Sequence, residues 1–147
     1  PNAKYLVSKF DFDYYSENPN DDFNNQILPL KDLGGLVLIE GRTEVVKDVF
    51  SLPTNGHTPG HQSLFLETHN KEKIILTGDL FHNEAQINEQ FWCPIFDWNT
   101  VMSTISRVGL LNSAYKNQWI ICTGHLSDDK AIGRIQKNNN GFYWVPI

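Results

Sequence analysis

The chain has 147 residues, 40% of them hydrophobic, and a formal net charge of −5. That length suits one domain with a sizeable core, and the acidic balance speaks against a nucleic-acid partner. Two cysteines, Cys93 and Cys122, indicate neither a disulfide framework nor a cysteine zinc site, and both are expected to be packing residues.

No run of 18 apolar residues occurs and nothing resembles a signal peptide, so the expectation is a soluble chain without a membrane partner, the cytoplasm being favoured. The opening "PNAKYLVSKF" has no initiating methionine and enters a strand within three residues, which suggests a cut chain. "AKYLVS" reads as that strand, and "DFDYYSEN" as a short helical turn capped by Asp11 or Asp13. "NPNDDFNNQ" reads as an exposed loop. A strand-rich block follows in "GLVLIEG", "EVVKDVFSLP", "HQSLFLET" and "KEKIILTG", with a hairpin turn at "ETHNKEK" that leaves His69 in solvent. The aromatic run "QFWCPIFDW" either walls an apolar pocket or is core under a loop. From about residue 99 to 115, Val101, Ile105, Val108, Leu111 and Tyr115 recur at helical spacing, with Asp97 or Asn99 as the cap. "GRIQKNNNGFYWVPI" reads as two strands joined by the Asn-rich turn ending at Gly141.

Within the stretch "SLPTNGHTPGHQS", His57 and His61 stand four apart. Pro59 pushes Thr58 to an extended conformation, and Gly56 and Gly60 bracket the segment, so a helical metal grip is excluded. In a tight loop the two rings point different ways, and at most one is expected to hold a metal. A turn with two incidental polar residues is the plainer alternative.

Two later segments repeat one design. "KIILTGD" ends at Asp79 and "WIICTGH" at His125, each an apolar strand followed by Thr-Gly and a residue able to bind metal; "LPTNGH" ending at His57 is a looser third copy. Ligands at strand ends are held by a rigid sheet. Imidazole mixed with carboxylate suits zinc, with iron or manganese as alternatives. Turn capping by Asp79 and His125 is the structural alternative.

"TNGHTPGHQSLFLE", "ILTGDLFHN" and "CTGH" resemble the second-half motifs of the metallo-β-lactamase superfamily, especially its lactonase-like and esterase-like hydrolases. The resemblance implies an α+β fold, half of a four-layer αββα sandwich, with a mixed sheet and flanking helix over residues 1–147. It implies His57, Asp79 and His125 as metal ligands, His61 as a neighbour that orients one of them, and two zinc ions in the complete domain. Asp79 and His82 become the candidate catalytic residues, Asp79 holding the metals together and His82 contacting substrate or passing a proton. The H-x-H-x-D-H motif, which carries the other four ligands, is absent. Asn55 stands where the family commonly has proline, and Asn83 where many relatives have a second histidine. The implied activity is hydrolysis of a lactone or other ester by a metal-activated hydroxide once a missing amino-terminal half is present, the isolated fragment being inactive; that half, or a second copy of the chain, is the expected partner. A glyoxalase II-like thioesterase and a non-catalytic binding or assembly subunit are the alternatives.

Overall fold

The computed structural model describes residues 3–147. A small parallel pair, β1 (Tyr5–Ser8) and β2 (Leu36–Ile39), flanks a seven-stranded sheet in simple sequence order, β3 (Thr43–Val46), β4 (Val49–Pro53), β5 (Gln62–Glu67), β6 (Lys73–Leu76), β7 (Ile120–Cys122), β8 (Ile132–Asn138) and β9 (Gly141–Pro146). All neighbours are antiparallel except β6 and β7, which are joined through the long helix α3 (Thr100–Asn117). A parallel neighbour requires such a crossover. The α+β class with a mixed sheet and flanking helix follows the sequence reading.

Alternation of side chains divides the sheet into two faces. Ile75 and Ile121, paired across β6 and β7, are fully buried on the side covered by Leu110, Leu111 and Ala114 of α3. Each such isoleucine contributes on the order of 2 kcal/mol through burial. On the opposite side Leu64, Leu76, Cys122 and Ile132 fall in register across four strands as an apolar row. Leu64, Leu76 and Ile132 in that row are exposed.

Several local expectations need correction. "EVVKDVFSLP" is two strands, β3 and β4, turning at Asp48 with φ 65°. "NPNDDFNNQ" leads into helical structure, Phe23–Ile27 as a π-helical turn and then α2 (Leu28–Asp32). Phe23 draws the segment in by packing against Phe12 and Tyr15 of α1 (Lys9–Glu17). Neither Asp11 nor Asp13 caps α1, whose N-cap is Ser8. Asp13 pairs with Lys9, and Asp11 reaches the loop around Pro59.

The inward stripe of α3 also differs from the spacing argument. Val101 and Ile105 are each 66% exposed, whereas Ser103, Arg107, Leu110, Leu111 and Ala114 are buried. Arg107 is the reason. Its guanidinium donates to the carbonyl oxygens of Leu80 (3.2 Å), Gln90 (2.7 Å) and Trp92 (2.9 Å), and no carboxylate pairs with it among the described residues. A planar fork with five donors suits this task. It turns the helix so that the loop 80–93 hangs from one buried cation. Arg107→Met keeps the stem and strands three carbonyls, so the urea-unfolding midpoint is expected to fall by the equivalent of about 3 kcal/mol; an unchanged midpoint would contradict this role.

Candidate metal centre

The directions of the strands bring the singled-out residues together. β4 and β6 each run antiparallel to β5, and β7 runs parallel to β6, so all three point the same way. Residues just past their carboxyl ends therefore meet at one edge of the sheet. There the Asp79 carboxylate lies between two rings, Oδ2 3.2 Å from His57 Nε2 and Oδ1 2.8 Å from His125 Nε2. His82, three residues on, stacks on His125 with ring centres 4.8 Å apart and lies 5.0 Å from the His57 ring. Ligand atoms of His57, Asp79 and His82 all lie within 4.8 Å of one another. His82 thus stands inside the cluster.

His61 is beside this group but committed elsewhere. The Asp79 amide donates to its Nε2 at 3.0 Å, and an amide nitrogen can only donate, so Nε2 carries no hydrogen. Nδ1 therefore bears the hydrogen and faces Thr54 O at 3.0 Å and Thr54 Oγ1 at 2.9 Å. With both nitrogens used, His61 has none to offer a metal; it positions Asp79 through the backbone. Burial pushes its pKa below the usual histidine value.

The His57 loop is fastened from two sides. Asp11 of α1 accepts from Gly60 N (2.7 Å) and Thr58 Oγ1 (3.0 Å). Before α3, Trp98 N donates to His57 O and Asn99 N to Gly56 O, while Ser106 Oγ donates to Asn55 O. The fit leaves no room at Gly56, φ 139°, where a Cβ would stand 2.1 Å from Ser103 N. Asn55 closes the turn by donating to Pro59 O. Asn83 caps the turn Glu84–Ile87 by accepting from Ala85 N, and the Gln86 side chain holds the amides of His82 and Asn83.

Sequence reading offered Asp97 only as a helix cap. Asn99 is the cap, accepting from Met102 N, and the Asp97 carboxylate instead faces His57, with Oδ1 3.0 Å from Nδ1. His57 thus lies between two carboxylates, with Nε2 3.2 Å from an Asp79 oxygen, an arrangement that calls for a cation or a proton between ring and carboxylate. Two imidazoles and a carboxylate, one ring backed by a second carboxylate, make a donor set that fits zinc. Burial alone would raise the Asp79 pKa, but the hydrogen bond from His125 and the charges of His57, His125 and His61 outweigh it and hold the carboxyl low. Burial, then the His57 and His125 charges, depress His82. Of the aromatic run, Phe91, Trp92, Ile95 and Phe96 are exposed rather than core, and the Phe96 ring meets both His57 and His82 edge-on.

Comparison with known proteins agrees with this architecture. The structure of AidC, a dizinc quorum-quenching lactonase with its product bound, superposes with a TM-score of 0.79 at 20% identity, over 100% of this chain and 55% of that one. A hydrolase of the beta lactamase superfamily, AbOPH, gives 0.80 at 22% identity, over 100% and 56%. The fold is that of the metallo-β-lactamase superfamily. In sequence the chain is similar to its N-acyl homoserine lactonases: AiiA of Bacillus thuringiensis subsp. kurstaki is 39% identical over 88 residues, 60% of this chain and 34% of its own length. The Bacillus cereus enzyme is 36% identical over the same shares. The chain thus matches only about a third of the length of these curated relatives. No family model matches the sequence. No described helix is long and apolar enough to cross a membrane.

Replacing His61 with alanine leaves the Asp79 amide without its acceptor. A loss of about 1–3 kcal/mol in metal-free unfolding is expected, and a wild-type midpoint for His61→Ala would refute the bracing role.

Proposed function

We propose that the chain is one half of a metal-dependent hydrolase that opens a lactone or related ester, with zinc as the metal its donor set suits first. The observation that carries this reading is the Asp79 carboxylate held between His57 and His125 at the shared edge of three co-directional strands. Its lactonase relatives and neighbours support it.

His57, Asp79 and His125 would hold the metal, and Asp79, with one oxygen toward each histidine, is disposed to be shared between two ions. A bound divalent ion supplies Lewis acidity, polarising a carbonyl and making water acidic. The chain's own groups do the positioning. His61 holds the Asp79 backbone, and His82 presents a ring whose Nδ1 is buried without a partner among the described residues. That ring is placed to touch a substrate oxygen or hand over a proton. Phe96 and its exposed neighbours Phe91, Trp92 and Ile95 offer an apolar wall for the substituent of the ester.

The H-x-H-x-D-H ligands do not occur in these 147 residues. We assign them to a partner polypeptide segment, an amino-terminal half whose sheet would cover the apolar row Leu64, Leu76, Cys122 and Ile132; a second copy of the chain is the alternative cover. A thioesterase of the glyoxalase II type, or a non-catalytic subunit, gains no support from the lactonase relatives.

Alone, the chain is expected to bind zinc weakly and to leave lactones essentially unhydrolysed. Adding a polypeptide that bears H-x-H-x-D-H should raise bound zinc to about two per complex and start hydrolysis of a chromogenic lactone, and Asp79→Ala should abolish both gains. Elemental analysis and the lactone assay read the outcome. No gain in metal or activity on mixing would count against the proposal.

A further inference from the structure

Asp97 sits in surroundings that are costly for a carboxylate. Its side chain is 1% exposed. One oxygen lies 3.0 Å from His57 Nδ1, and Oδ2 has no hydrogen-bond partner among the described residues. Burying a charge with so little compensation is expensive, and a neutral amide would accept the same hydrogen bond at lower cost. Nor is the side chain required to fasten the loop, since the amides of Trp98 and Asn99 already hold the carbonyls of His57 and Gly56, and Asn99 caps α3. The negative charge is offset when positive charge gathers on the far side of the His57 ring.

That far side holds a competing acceptor. Asp79 Oδ2, 3.2 Å from His57 Nε2, would favour the opposite tautomer, with the hydrogen placed where a metal has to bind. Two carboxylates therefore contend for one ring hydrogen. The buried one, poorly solvated and with a single donor, is the stronger claimant. We propose that Asp97 is a positioning residue that holds His57 as the Nδ1–H tautomer, so that the Nε2 lone pair is presented toward Asp79 and any cation set between them. The metal part of this proposal rests on the zinc-site reading above; the tautomer part does not.

The test is nitrogen NMR of the histidine-labelled chain without metal, at about pH 9, well above the ordinary histidine range, where a neutral ring must choose one nitrogen. Wild type should show a protonated Nδ1 on His57. Asp97→Ala should move the hydrogen to Nε2, and so should Asp97→Asn, whose neutral amide is a weaker acceptor than the Asp79 carboxylate and can itself donate to Nδ1. Zinc affinity, read by competition with a chromophoric chelator, should fall about 10–100-fold in both variants. A purely structural Asp97 would lower the unfolding midpoint and leave the tautomer alone. Wild-type His57 protonated on Nε2 overturns the proposal whether or not the variants fold. So does Asp97→Ala with an unchanged tautomer, or with a changed tautomer and unchanged zinc affinity. Wild type with the expected tautomer but no zinc binding would sink the zinc-site reading and leave the tautomer assignment supported.

Discussion

The His61 ring joins the loop after β4 to the end of β6, and both of its nitrogens are committed in doing so. The bond from the Asp79 amide matters most. It fixes the tautomer of His61 and the position of the residue whose carboxylate lies between His57 and His125. Gly78 makes the approach possible: with φ 55°, a Cβ there would stand 3.0 Å from His61 Nε2. The glycine of the Thr-Gly-Asp turn therefore serves the histidine of a different loop. A charged His61 would carry a hydrogen on Nε2 facing the amide hydrogen, and burial opposes that state.

Around this contact the scaffold divides its work. Strand direction places the turns that carry His57, Asp79 and His125 at one edge, and no local feature of any single turn could do so. Asp11 brings α1 onto the same loop, so the small β1–β2 unit braces the site. Arg107 holds the segment that carries His82 and the exposed aromatics. One carboxylate, one imidazole and one guanidinium thus fix three loops by accepting or donating to their backbones or hydroxyls. Such bonds are directional and leave little freedom in a short loop.

Much of this was legible in the sequence because it is local. The runs "KIIL" and "WIIC" announce buried strands, and a Thr-Gly followed by Asp79 or His125 marks their ends without reference to anything distant. Proline and glycine made the His57–His61 segment a loop, and two rings pointing different ways followed. Asp97 was hidden because its partner lies 40 positions away and Asn99 beside it is an equally good cap by composition. Arg107 was hidden for the same reason: its three carbonyl acceptors belong to a loop that only tertiary structure brings near. The Asn- and Asp-rich segment before α2 became helical because Phe23 found an aromatic partner in α1. Tertiary packing overrode the local preference.

The contact between Gly56 and Ser103 has a dynamic consequence. The amide hydrogens of Trp98 and Asn99 are held by carbonyls of the His57 loop, and the backbone of Gly56 presses on the first turn of α3 with no space for a methyl group. Neither element can loosen while the other stays in place. The loop and the start of α3 thus form one cooperative opening unit, whose excursions expose those two amides to solvent exchange together. Departure of the His57 ring from its partners is governed by the fraying of a helix end rather than by rotation of a single side chain.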